Sequence, residues 1–382
     1  MTLLIVILAV VFLILTIVVI SKTQTLLKGV KEREKSESEI EETITDGANN
    51  ANAIGLFVFW IVSVIGIVWS FNYAKKDFLI AYGDIPSASS VHGKETDFWF
   101  WFGIAVITVA FFIVNSVLFY FPIKYRYKKG RKAYFYPHNN TLEIVWTLIP
   151  AIVMAGLVFT GLQAWNRIMS DAPQDAEVIE VMGKQFGWQV RYGGVDNEKL
   201  GNYSYKLIND AEGNEFGIDF TDENSFDDFT SNTEMHIPKG KPVLLKIRAR
   251  DVLHSVFIPH MRVKMDAVPG MPTKFWFVAD KSTADMRAEY GNPDFNYEIA
   301  CTEVCGRSHF AMKLKLIVDE PAEYEKWKKE QKSLLATKPE FMEKIPANLK
   351  GKAMKYIMPD APATTESTTA TTGGAATSAS LR

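Results

Sequence analysis

Four stretches without a charged side chain occupy most of the first 166 residues: 2–20, 53–74, 98–123 and 144–166. Each approaches or exceeds the roughly 20 apolar residues that a helix needs to cross a bilayer. So many uninterrupted runs in one segment are not the pattern of a water-soluble fold. Residues 2–20 lack the basic flank and small-residue cleavage site of a secretion signal, so they are predicted to be a retained helix. Charge then sets the orientation. The loop 124–141 carries six Lys/Arg and no acid, and 21–52 carries Lys22, Lys28, Lys31, Arg33 and Lys35, whereas 75–97 has only Lys75, Lys76 and Lys94. Basic loops stay in the cytoplasm. The prediction is therefore four spans with the N-terminus outside and everything after 166 outside, which in a bacterium is the periplasm. Trp69, Tyr73, Trp99, Trp101, Tyr120 and Trp165 lie at span ends, where aromatic side chains favour the membrane interface. Glu143 stands at the cytoplasmic mouth of the last span. Its carboxylate is either an interfacial charge reaching water or part of a proton path, and position alone favours the first.

Beyond 176 the pattern changes to short runs rich in β-branched and aromatic residues: 177–183, 186–192, 242–250, 273–280, 295–301 and 312–320. Their spacing predicts an all-β sandwich or Greek-key barrel. A helical run follows at 321–335, and the tail from about 359 is too rich in Thr, Ser, Ala and Gly to build a core. The stretch 194–232 reads as an insertion with ten acids against two lysines: a solvated loop, or a docking surface for a basic partner. Basic and acidic residues nearly cancel over the whole chain (net charge −2), which argues against nucleic-acid binding.

The only two cysteines are Cys301 and Cys305. That number excludes a disulfide scaffold and a four-thiolate iron–sulfur cluster within this chain. His309 and Met312 follow in the same loop, and His254 lies upstream after the run 242–250. Thiolates, imidazoles and a thioether are soft ligands that select copper over magnesium or calcium. A closed zinc site and a Cys301–Cys305 disulfide remain open on composition alone. Met312 favours copper, because a weak axial thioether is a copper device, and the pair of thiolates favours a dinuclear site. Among the other histidines, His92 and His138 read as solvent-exposed, while His236 and His260 are unassigned.

These residues carry a resemblance. The loop C-x-E-x-C-G-x-x-H-x-x-M (301–312), DVLHS (251–255), VKMDAVPG (263–270) and E-x-x-W-T-x-x-P (143–150) resemble subunit II of haem-copper cytochrome c oxidase, over roughly 98–335. The resemblance implies a membrane-helical N-terminal part, with four predicted transmembrane helices, joined to a cupredoxin-like Greek-key sandwich. Residues 1–97 would add two helices to the family's hairpin at 98–167. The copper domain would span 168–335, with the insertion 194–232 and a C-terminal helix, followed by an extension at 336–382.

What the family implies for function follows position by position. His254, Cys301, Cys305, His309 and Met312, with the Glu303 carbonyl, match the ligands of the dinuclear CuA centre. The Glu303 side chain would reach a magnesium or manganese ion shared with subunit I. Glu143 matches the carboxylate at the entrance of a proton pathway. In the Q-F-G-W of 185–188, Trp188 fits the second family tryptophan, and Phe186 replaces the first, where the electron from cytochrome c arrives. The implied protein is a multi-pass subunit of the bacterial inner membrane, partnered by lipid, subunits I and III, and cytochrome c or a complex bearing one. Electrons would pass to haem in subunit I, where oxygen is reduced and protons are moved. The alternatives are a CuA subunit of another haem-copper reductase and a membrane-tethered periplasmic module held by zinc or a disulfide.

Overall fold

The computed structural model describes residues 16, 18–24, 46–74, 88–128, 130–194 and 199–357. The predicted span 2–20 falls almost wholly outside them. Among the described residues, three helices are long and apolar enough to cross a membrane: α1 (Asp46–Ala74), α2 (Val91–Lys124) and α3 (Asn140–Ile168). Each begins several residues before its charge-free run, because polar starts such as Asn140–Glu143 still hydrogen-bond as helix. Their apolar side chains stand exposed, among them Ile65, Val109, Ile113 and Ile152. Displaying such side chains in water would be costly, so this surface is suited to lipid.

The chain divides into two units, residues 1–73 with 105–144, and 74–104 with 145–382. In the first, Trp60 of α1 is buried and packs against Phe111, Phe112 and Phe119 of α2. In the second, the start of α2 is bound to the β domain. Asp97 pairs with Arg262 through two hydrogen bonds (2.7 and 3.0 Å), and the Ser89 N–H donates to the His260 carbonyl (2.7 Å).

The β domain is two five-stranded sheets. Its strands are β1 (Glu177–Lys184), β2 (Gly187–Tyr192), β3 (Phe229–Ser231), β4 (Glu234–Pro238), β5 (Pro242–Ala249), β6 (His254–Ile258), β7 (Val263–Ala267), β8 (Thr273–Val278), β9 (Tyr297–Cys301) and β10 (Lys313–Asp319). One sheet runs β3-β2-β1-β5-β8 and the other β4-β10-β9-β6-β7. Within them β1 pairs with β5, and β4 with β10, in parallel. Val181, Val190, Leu245 and Phe277 of the first sheet share a core with Ile237, Val256, Ile299 and Leu316 of the second. This is the predicted sandwich, with four strands the sequence patterns did not reveal: β3, β4, β6 and β7. All four are short, between three and five residues. A pattern of period two needs several repeats to be recognised.

Two expectations change. The insertion 194–232 is not a solvated loop, since Phe216, Ile218, Phe220 and Phe226 are buried in a second core with Leu335, Phe341, Ile345 and Ala353 from beyond β10. The helical run 321–335 is also broken. It becomes α5 (Pro321–Glu330) and α6 (Leu334–Thr337), with Ser333 capping the second; α4 (Thr283–Tyr290) lies earlier, and α7 (Lys350–Ile357) lies in the extension. The second core covers the outer face of β1. That is why Glu180 and Met182 are buried there, where an exposed face would carry polar residues. Buried Glu180 is matched by Arg191 (2.5 Å) and Arg248, and Arg191 also pairs with Asp228 (3.0 Å).

Candidate metal centre

β6 and β9 are antiparallel neighbours, with Val256 opposite Cys301. The pairing sets His254, at the start of β6, beside Cys301, at the end of β9. The loop from β9 to β10 then doubles back and returns Cys305, His309 and Met312 to the same place. His254, Cys301 and Cys305 are buried, with candidate ligand atoms all within 4.8 Å of one another. His254 Nδ1 lies 3.8 Å from Cys301 Sγ, and His309 Nδ1 lies 3.5 Å from Cys305 Sγ. Met312 Sδ is 3.8 Å from Cys305 Sγ, and the Glu303 carbonyl oxygen is 3.2 Å from Cys301 Sγ. The two sulfurs are 3.9 Å apart and both cysteines are free, so no disulfide competes for them. Six donors converge in two similar sets: thiol, imidazole and thioether on one side, thiol, imidazole and carbonyl on the other. The set fits copper, being soft and mostly nitrogen and sulfur, with no carboxylate in it. Burial, then the neighbouring Cys301, pushes the Cys305 thiol up to about 11. Metal-free Cys305 is therefore kept as a neutral thiol, and a metal must displace its proton.

Residues that donate nothing to a metal hold the donors in place. Asp251 Oδ1 accepts from His254 Nε2 (2.9 Å), which turns Nδ1 toward the sulfur. Burial opposes ionisation of Asp251, but hydrogen bonds from His254, Gln185 and Val252 prevail and hold its carboxyl below the usual range. At Gly183 an added Cβ would lie 3.0 Å from both the His254 ring and Trp188, so only glycine lets these rings approach.

The structure separates the aromatic pair of 186–188. Phe186 is 41 % exposed, whereas Trp188 is 2 % exposed, its ring centroid 6.0 Å from that of His254. The Glu303 side chain is exposed. Glu143 lies in the first turn of α3, where its carboxylate faces the Asn139 N–H (3.4 Å) while Asn139 caps the Leu142 N–H (3.0 Å). His138 is exposed as expected, but His92 is half-buried with its ring edge-on to Trp276. His236 stacks on Trp327 and pairs with Asp319 (2.6 Å), and His260 sits among Tyr290, Phe295 and Tyr297. Sequence reasoning passed over Asp251 and Gln185. Both had a local signal, Asp251 three residues before His254 and Gln185 at the head of the Q-F-G-W of 185–188.

Fold and site together define a membrane-anchored cupredoxin-type protein whose β domain carries a cluster of soft candidate metal ligands. Residues 177–319 match the family of the periplasmic domain of cytochrome c oxidase subunit II, and residues 79–164 match that of its transmembrane domain. The alternative cytochrome c oxidase subunit 2 of Bradyrhizobium diazoefficiens is 31% identical over 251 residues, covering 62% of this chain and 85% of that one. Cytochrome c oxidase subunit 2 of Thermostichus vulcanus is 27% identical over 282 residues, covering 68% and 81%. The crystal structure of the periplasmic domain of subunit II of cytochrome oxidase of Bradyrhizobium japonicum matches 41% of this chain and 93% of its own, at 23% identity and a TM-score of 0.28. The chain belongs to the cytochrome c oxidase subunit II family. It is thus subunit II of an oxygen-reducing oxidoreductase whose catalysis takes place in subunit I.

Proposed function

We propose that this subunit receives electrons from a periplasmic c-type cytochrome and delivers them to haem in subunit I, through a CuA centre built on the cluster of Cys301, Cys305, His254, His309, Met312 and the Glu303 carbonyl. The observation that carries this reading is the convergence of two free, buried thiols with one imidazole Nδ1 beside each. When bound, a copper pair supplies one-electron transfer with little change of geometry. Everything else falls to the protein. Cys301, Cys305, His254, His309, Met312 and the Glu303 carbonyl would hold the metals, the thiolates and imidazoles as the principal donors and the thioether and carbonyl as the weaker ones. The strands β6, β9 and β10 hold these donors rigidly, so few atoms need to move as charge arrives and leaves. Asp251 fixes the His254 tautomer, and the packed rings of Trp188 and His254 keep water from that side.

The exposed Phe186 is the surface ring where the donor would hand over its electron, and the buried Trp188 lies beside His254. The exposed carboxylate of Glu303 suits a magnesium or manganese ion shared with subunit I. Glu143 would stand at the entrance of a proton pathway, with its place at the start of α3 as support. On this reading the helices lie in the bacterial inner membrane among subunits I and III and lipid, and the β domain faces the periplasm.

The test is metal content and paramagnetic resonance of the purified chain after copper reconstitution. A copper pair per chain, with hyperfine structure from two equivalent nuclei, is expected. A single redox-silent zinc, or a Cys301–Cys305 disulfide that takes up no metal, would instead favour a tethered binding module.

A further inference from the structure

Three segments meet at the cluster: the turn between β1 and β2, the approach to β6, and the loop between β9 and β10. One residue joins all three. Gln185 Nε2 donates to the carbonyl of Cys305 (2.6 Å), and the Gln185 main-chain N–H donates to Asp251 Oδ2 (2.7 Å). Asp251 Oδ1 in turn accepts from His254 (2.9 Å). A continuous polar chain therefore runs from one half of the donor set to the other, from His254 through Asp251 and Gln185 to Cys305. The partners of Gln185 lie 66 and 120 residues away in sequence, so the folded domain alone brings them together.

We infer that Gln185 is a positioning residue. It fixes the Cys305 segment relative to His254 and holds Phe186 against the same loop. Gly306 shows how close that fit is. Its φ is +133°, and a Cβ there would lie 3.0 Å from the Phe186 ring and 3.1 Å from the Gln185 amide nitrogen. The turn is held from its other side by the insertion, where Lys184 and the Gln189 amide both donate to Glu215. The surface ring and the donor set are thereby parts of one hydrogen-bonded frame. Outer partners of this kind set the orientation of the ligands, and their loss typically weakens metal binding by about 10- to 100-fold.

The inference rests on the CuA reading, and its test has an arm that does not. Gln185 is exposed, so Gln185→Met and Gln185→Glu, both close in length, remove the amide donor without opening a core cavity. In the metal-free, reduced chain, amide exchange over 302–309 should quicken in both variants while the rest of the β domain keeps its protection. After copper loading, affinity should fall about tenfold or more, the two nuclei should become inequivalent, and the midpoint potential should shift. Wild-type exchange in this loop together with wild-type hyperfine structure would overturn the inference, as would a lower unfolding temperature with all other readouts unchanged. If the wild-type chain takes up no copper pair, the proposed function fails, and the exchange arm still decides for or against Gln185.

Discussion

At the scale of residues, the site is made by side chains that are each ordinary alone. Met312 is 1 % exposed, and its side chain presents sulfur to the cluster, 3.8 Å from Cys305. Leucine would fill nearly the same volume, at a cost below about 1.5 kcal/mol, but offers no lone pair. Met312→Leu should therefore keep the copper pair and shift the midpoint potential, measured by redox titration of the copper absorption bands. Loss of all copper would show that Met312 is a principal ligand. The donors themselves were legible because four of them fall within twelve residues, Cys301 to Met312. The roles of Asp251 and Gln185 were not, because they rest on the hydrogen bonds by which Gln185 joins Asp251 and Cys305 from separate segments.

At the scale of elements, the acidic insertion and the C-terminal extension form one unit. Asp210 makes a two-pronged pair with Arg250 (2.7 and 2.8 Å), Glu212 pairs with Lys344, and Glu223 with Lys352 (2.6 Å). Much of the charge that suggested a docking surface is thus matched within the chain. Beneath it, Phe341 is 1 % exposed and stacks on Phe220 with ring centroids 4.6 Å apart. Phe341→Ala should cost about 3–5 kcal/mol and loosen this second core first. Hydrogen exchange should rise over 203–226 and stay slow over 297–319; an even rise across both segments would mean that the two cores unfold as one. Ten acids against two lysines could be counted in the sequence, but Asp210 meets its partner 40 residues away, and Glu212 and Glu223 meet theirs 132 and 129 residues away.

At the scale of the molecule, stability should depend on pH through a buried group. Burial pushes Asp228 up to about 7, against the pull of Arg191 and the Gly201 N–H. The folded value lies above the roughly 3.9 of an unfolded aspartate, so the folded chain holds the extra proton between these limits. The stability due to this group is complete below about pH 4 and is lost as pH rises through about 7. Asp210 and Asp285, held low by Arg250 and Lys239, contribute in the opposite sense, and their share is lost in acid. The contrast with a variant isolates Asp228. Asp228→Asn should be less destabilised than the wild type by raising pH from about 4 to 7, as read by chemical unfolding; identical slopes would mean that Asp228 is ionised throughout. By itself the sequence pointed to four membrane-capable spans, three of which stand as helices among the described residues, and to a β domain and a sulfur–imidazole loop, because each is written in contiguous residues by apolar length, alternation or ligand spacing. Tertiary structure alone decided the parallel pairing of β1 with β5, the burial of the insertion under the extension, and the bridge from His254 to Cys305. Each of these depends on residues tens to more than a hundred positions apart, whose meeting is settled by which faces the folded chain must cover.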